Sequence, residues 1–181
     1  MRKPEIIMIA AVSKNDVIGV EGKLPWHKDK KKNEKLIKED FAHFKKLTEY
    51  HPIIMGRVTY ESIPKKFRPL PNRQNVVLTS DPSFHENGVY VAHSLKDALH
   101  DLGDRRICKD GIDYSKIFIG GGQRVYEAAM PYATSLEITH VHQQVEGEQL
   151  RYFPQIDRKV WKEVRSESST SEFSFATYVR R

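Results

Sequence analysis

Residues 37–44 read IKEDFAHF, and the acid among them is out of keeping with its neighbours. Leu36, Ile37, Phe41, Phe44 and Leu47 recur at the spacing of three and four that gathers side chains onto one helix face. Asp40 lies on that same stripe, three residues after Ile37 and four before Phe44. Burying an isolated charge is very costly, so a carboxylate there is paired, protonated, capping the helix or engaged in chemistry. Periodicity alone leaves these four open.

Two further stretches share a design suited to phosphate. IIMGRVTYESI (53–63) and FIGGGQRVYEAAM (118–130) each run from an apolar strand through glycine into a helical pattern. Glycine permits a sharp turn and close approach of a ligand, and a helix start offers free N–H groups and the positive end of its dipole. The bland alternative is that the glycines only let helix pack tightly on strand. GGGQRV does not match the usual dinucleotide fingerprint, and the chain has no Gly-Lys-Ser/Thr phosphate loop. A third polar cluster, VVLTSDP (76–82), ends another strand. Ligands of open α/β sheets bind beyond the carboxyl ends of the strands, where Arg57, Thr79 and Ser80 converge if their strands are neighbours. An arginine fork with two hydroxyls suits an extra phosphate. Read alone, TSDP is simply the start of a turn.

The elements that must position these groups alternate in type. Strands are predicted at 5–12 (EIIMIAAV), 52–55, 75–79, 89–92 and 116–120, with helices at 34–49, 57–63, 94–102 and 122–130 between them. Continuously apolar strands alternating with helices indicate a largely parallel sheet covered on both faces. SLEITHVHQQ, WKEVRSES and EFSFATYVRR read as strands without intervening helices, the last two as an antiparallel hairpin or edge. The expected fold class is α/β: a single domain over 1–181 with a central mixed, mostly parallel sheet flanked by helices and an antiparallel C-terminal hairpin.

Composition narrows the function further. The single cysteine, Cys108, excludes an internal disulfide and offers no ligand cluster for a metal. No apolar run reaches membrane-spanning length. MRKPEIIMIAAVS faintly resembles a signal peptide, but Glu5 interrupts it and polar SKND follows directly, so a buried first strand in a cytoplasmic protein is expected. The net charge is +6, and residues 27–38 carry six lysines against two acids. Such a block can touch nucleic acid, yet it lacks interleaved aromatics, so a solvated surface insertion over 27–36 is the expectation. The positive field favours anionic small ligands.

Taken together, IAAVSKNDVIGVEGKLPW (9–26), DFAHFKKLT (40–48), PIIMGRVTYESI (52–63), RPLPNRQNVVLTS (68–80), IFIGGGQRVYEAAMP (117–131) and LEITHVHQQVEGE (136–148) resemble dihydrofolate reductase of the bacterial type. They stand in that family's order and cover nearly the whole chain. The resemblance implies reduction of 7,8-dihydrofolate to tetrahydrofolate by hydride from NADPH, serving one-carbon metabolism, in a monomer that antifolates inhibit. It aligns Asp40 with the active-site carboxylate that holds the pterin through N3 and the 2-amino group. Thr139 matches the residue that hydrogen-bonds this carboxylate, and Trp26 the tryptophan that orders a nearby water.

The same resemblance assigns the remaining positions. Ile9 and Gly120 offer carbonyls to the pterin amine, while Ala11, Leu24, Phe41, Phe44, Lys45, Ile63, Leu70 and Tyr126 surround the substrate. Arg73 matches the arginine that clamps the substrate's glutamate α-carboxylate, a natural use of its fork. For NADPH, Ala11, Ile18 and Gly19 match the nicotinamide side. Gly56, Arg57, Val58 and Thr59 match one phosphate turn, and Gly121, Gly122, Gln123, Arg124 and Val125 the other. Leu78, Thr79 and Ser80, with Arg57, match the adenosine 2′-phosphate site. GVEGKLPW (19–26) matches the mobile loop over the site, with Gly22 as its flexible point.

Two departures stand out. The chain between Trp26 and Asp40 is about nine residues longer than in the short bacterial type, a length a loop absorbs at little entropic cost. Gly120 stands where the family usually carries Ile, Val, Phe or Tyr, which removes a side-chain wall. Two other readings are a related reductase of the riboflavin-pathway type, acting on a phosphoribosyl pyrimidine, and a non-catalytic protein that binds nucleotide or nucleic acid through the basic insertion. Asp40, Phe44 and Arg73 suit a pterin–benzoyl–glutamate ligand better than the former, and an intact carboxylate, cofactor turns and lid argue against the latter.

Overall fold

A computed structural model describes residues 3–168 and 170–181. In chain order the elements are β1 (Glu5–Ser13), β2 (Val17–Gly19), α1 (Glu34–Thr48), β3 (Pro52–Gly56), α2 (Arg57–Ser62), β4 (Gln74–Leu78) and β5 (Val89–Ala92). Then come α3 (Leu95–Gly103), β6 (Lys116–Ile119), α4 (Gln123–Ala129), β7 (Ser135–Val141), β8 (Arg151–Tyr152), β9 (Trp161–Ser168) and β10 (Phe173–Arg180).

The main sheet runs β5-β4-β3-β6-β1-β7-β10-β9. Its first six strands are mutually parallel, and β10 and β9 close it as antiparallel strands. The apolar runs are continuous because both faces are covered. On one face Met8, Ile54, Val76, Ile117, Ile119, Leu136 and Ile138 pack with Ala98 and Leu102 of α3 and with Tyr126 and Ala129 of α4. Alternate residues, Ile7, Ile9, Ile53, Met55, Val77 and Phe118, face the other way and pack against Phe44 and Leu47 of α1. Side chains on a strand alternate faces, so a strand buried on both sides has no polar positions to spare.

The N-terminal half of α1 uses the same stripe against different partners. Leu36 and Ile37 join Trp26, Val141 and Phe173 in a smaller cluster. Upstream, residues 28–33 form turns rather than an extension of the helix. The buried Asn33 fastens them: its side-chain amide donates to the carbonyls of Trp26 and Asp29, and its oxygen accepts from Gln143. α3 begins at a conventional cap, where the Ser94 hydroxyl accepts the Asp97 N–H at 3.0 Å.

Two local features differ from the expectation. β2 and β8 form a separate two-stranded ribbon, Val17 opposite Tyr152. In addition, Gly22 does not sit in an open loop. Val20 and Lys23 exchange both backbone hydrogen bonds at 2.9 Å across Glu21 and Gly22, whose φ values are +49° and +76°. That is a two-residue hairpin turn of the type requiring positive φ at both central positions.

Candidate active site

Because the six strands are parallel, their carboxyl ends lie along one edge, and the loops there meet. Register places Ala11 of β1 beside Thr139 of β7, and Gly56 of β3 beside Leu78 of β4. A cleft of about 110 Å³ opens at this edge, lined by Ala10, Ala11, Ile18, Leu24, Thr59, Gly120, Gly122 and Tyr126. Seven of those eight are residues singled out by sequence; Ala10, which carries no distinguishing chemistry, was not.

Asp40 reaches this region from α1. Thr139 Oγ1 donates a 2.7 Å hydrogen bond to Asp40 Oδ1 across 99 residues of sequence. Burial raises the carboxyl pKa from 3.8 to about 6, outweighing the opposing effect of the Thr139 hydrogen bond. Tyr126 stands nearby, its buried hydroxyl donating at 2.7 Å to the carbonyl of Ile9. Burial and the charge of Asp40 both push the Tyr126 hydroxyl above its ordinary pKa, so it remains a neutral donor. A neutral donor from the cleft wall thus holds the Ile9 carbonyl in place.

The apolar walls divide as the helix stripe requires. Phe44, Ile63 and Leu70 pack partly against the cluster containing Ile9 and Met55. Phe41, in contrast, is 51% exposed, with the His27 ring 6.1 Å away. Trp26 is 2% exposed and packs with Leu36, one turn before Asp40. Lys45 is exposed, though its carbonyl takes part in the next contact. Arg73 is only 3% exposed. Its hydrogen bonds go to neutral oxygens: the Thr48 hydroxyl at 2.9 Å and the carbonyls of Pro71 at 2.6 Å and Lys45 at 3.5 Å. The guanidinium lies 5.8 Å from the Phe44 ring centre. A buried cation surrounded by neutral acceptors is a strong site for an anion.

The two glycine turns are side by side, joined by a 2.7 Å bond from Gly56 N–H to the Gly121 carbonyl. Gly121 adopts φ +98°, and a Cβ there would stand 2.8 Å from the Tyr126 ring. A Cβ on Gly122 would meet Thr59 Oγ1 at 3.0 Å. The bare backbone therefore has no room for side chains, and the first turn of α2 approaches the glycines before α4 through Thr59. Gln123 ties its turn to the β2–β8 ribbon by accepting the Tyr152 N–H at 3.0 Å, while Arg124 and Val58 point to solvent. Ile18 and Gly19 lie on that ribbon. The glycine cradle fits a dinucleotide lying across both turns.

Gly120 lacks a side chain where Ile53 and Met55 already fill the space; a Cβ would sit 3.2 Å from each. At the end of β4, Leu78 and Thr79 are partly buried and Ser80 is exposed. Arg57 does stand across from them, but it is engaged. Its Nε donates to Glu61 at 2.9 Å and its Nη1 to Asp81 at 2.5 Å. Sequence reasoning treated Asp81 only as part of a turn.

An α/β protein whose parallel strands end at an apolar cleft beside one desolvated carboxylate is the class this geometry defines. Comparison with known proteins gives the family. The sequence profile of the family described as dihydrofolate reductase matches residues 5–180. Dihydrofolate reductase of Bacillus subtilis strain 168 is 40% identical over 167 residues, spanning 92% of this chain and 86% of that protein. Dihydrofolate reductase of Neisseria meningitidis is 39% identical over 181 residues, spanning 97% and 98%. Among solved structures, dihydrofolate reductase from Enterococcus faecalis complexed with NADP(H) and RAB-propyl superposes with a TM-score of 0.76. It is 32% identical and covers 98% of this chain and 96% of its own. The chain belongs to the dihydrofolate reductase family.

Proposed function

We propose that Asp40 is the group on which the chemistry of this reductase turns. The chain is an NADPH-dependent oxidoreductase that converts 7,8-dihydrofolate to 5,6,7,8-tetrahydrofolate. The observation that carries the role of Asp40 is its placement: a carboxyl of raised pKa oriented by Thr139, whose register neighbour Ala11 lines the cleft.

Thr139 fixes one carboxyl oxygen, so the group is presented in a defined direction. The pterin's N3 and 2-amino group offer two donors side by side, which a carboxylate accepts as a pair. Desolvation makes that pairing stronger than it would be in water. The Ile9 carbonyl, held by Tyr126, and the Gly120 carbonyl take the exocyclic amine. Phe44, Ile63, Leu70 and Phe41 enclose the rings. Arg73 takes the glutamate α-carboxylate, adding an anionic partner to a guanidinium whose hydrogen bonds go to neutral oxygens. NADPH, when bound, supplies the hydride that reaches C6, and the proton at N5 arrives through water near Trp26.

For the cofactor, Gly56 to Thr59 and Gly121 to Val125 hold the pyrophosphate, Ala11, Ile18 and Gly19 lie beside the nicotinamide half, and Arg57, Thr79 and Ser80 take the 2′-phosphate. The hairpin tip at 20–23 closes over the cleft mouth and excludes water. On this reading the chain acts as a cytoplasmic monomer, binds antifolates in the pterin cleft and has no nucleic-acid partner. Among the described residues, no helix is long and apolar enough to cross a membrane. The test is direct: purified protein should oxidise NADPH only when dihydrofolate is present. Oxidation that ignores dihydrofolate, or none with it, would overturn the reading.

A further inference from the structure

At the carboxyl end of the β3–β4 pair, the arginine assigned to the 2′-phosphate already holds an anion of the protein's own. Asp81 Oδ2 accepts from Arg57 Nη1 at 2.5 Å, and Glu61 accepts from Nε at 2.9 Å. The Phe84 ring centre lies 4.8 Å from the guanidinium carbon. Asp81 is itself rigidly held, since its Oδ1 accepts from the Ser83 N–H at 2.9 Å and the Ser83 hydroxyl at 2.6 Å, while its own N–H donates to Thr79 Oγ1. The carboxylate is thus locked in the turn that also presents Thr79 and Ser80.

We propose that Asp81 is a specificity-determining residue that competes with the cofactor's 2′-phosphate for Arg57 and so narrows the preference for NADPH over NADH. The inference rests on the assignment of Arg57, Thr79 and Ser80 to the 2′-phosphate. One cation shared between two carboxylates leaves the site with a local excess of negative charge. A 2′-phosphate must share Arg57 with Asp81 and sit close to it, two like charges in contact. A 2′-hydroxyl meets the opposite situation, because a fixed carboxylate accepts its hydrogen bond; acids select the unphosphorylated ribose and arginines the phosphorylated one in dinucleotide sites generally. This chain carries both at one position. Asp81 remains ionised throughout the working range, since the Ser83 hydrogen bonds and Arg57 hold its pKa down to about 2.

Asp81→Asn isolates the charge. The side-chain oxygen still accepts from Ser83, while the new amide no longer attracts Arg57. Steady-state kinetics with each cofactor should show KM for NADPH falling roughly two- to fivefold, that for NADH unchanged or raised, and kcat little altered. Calorimetric titration of the free protein should show the same gain for adenosine 2′,5′-bisphosphate and none for AMP. Arg57→Gln should remove the preference in the other direction. An Asp81→Asn protein in which both cofactors weaken alike would make Asp81 a turn residue only, and an unchanged ratio would equally overturn the proposal. If Arg57→Gln leaves NADPH and the bisphosphate binding as before, the 2′-phosphate assignment itself fails, a distinct outcome. Asp81→Ser, which retains a hydroxyl acceptor for the turn, repeats the test should the Asn variant fold poorly.

Discussion

Replacing Asp40 with Asn should make the unliganded protein more stable at neutral pH while abolishing most of its activity. The carboxyl pKa rises from 3.8 to about 6 on folding. The folded state therefore holds the proton more tightly than the unfolded chain does. As pH climbs through that window the unfolded chain ionises first, and folding loses stability relative to a neutral side chain. About two pH units at 1.36 kcal/mol each set an upper limit near 3 kcal/mol. Water reaching the partly accessible residue reduces this, so about 1–2 kcal/mol is expected at pH 7.5. Asn also keeps an oxygen for the Thr139 donor, so no hydrogen bond is sacrificed. For a chain of this size each kcal/mol moves Tm by roughly 2–4 °C. Urea unfolding of both proteins at pH 7.5 and pH 4 measures the effect, since at pH 4 the wild-type carboxyl is protonated when folded and half protonated when unfolded. Most of the gap should disappear at the lower pH. An Asn variant that is equally or less stable at pH 7.5 would refute the claim that Asp40 is held at a folding cost for the sake of its ligand.

In turnover, the same Asp40→Asn variant should lose roughly 10²- to 10⁴-fold in rate at neutral pH, read from NADPH oxidation. Thr139→Val removes the bond that favours the ionised carboxyl, so the acid-side inflection of the rate profile should move up by roughly one pH unit; a downward move would contradict the orientation assigned to Thr139. Gly121→Ala forces a Cβ against the Tyr126 ring at positive φ, and should cost roughly 2 kcal/mol or more in unfolding while weakening NADPH binding. Arg73→Lys should raise KM for dihydrofolate roughly tenfold, because a point charge cannot replace a fork, yet leave a dihydropterin lacking glutamate unaffected.

The regular elements were legible in the sequence because each is driven by burial that leaves a periodic trace. β1 reads EIIMIAAV, and its ends in the structure, Glu5–Ser13, differ from that run by one residue. The stripe 36–47 located both α1 and the anomalous acid. What the sequence concealed depends on contacts between distant segments. The β2–β8 ribbon pairs three residues with two, too few to show a period. The turn at Glu21 and Gly22 was visible as a glycine, but not as a closed hairpin. Asp81 was the more instructive case: TSDP is a good turn signature, and the turn is real. The same carboxylate also holds Arg57, which follows only from the β3–β4 register.

The position of β1 within the sheet has a consequence for how the enzyme comes into being. β1 lies between β6 and β7, which begin at residues 116 and 135. Once made, β1 is an apolar strand without partners until its two neighbours emerge more than a hundred residues later. At a translation rate of roughly 5–20 residues per second, that interval lasts several seconds. Asp40 and the hydroxyl that orients it are separated by nearly the same delay. A chain interrupted before Thr139 therefore has both glycine turns but no hydroxyl to orient Asp40, and during that interval the exposed edges of β1 are natural points of engagement for chaperones.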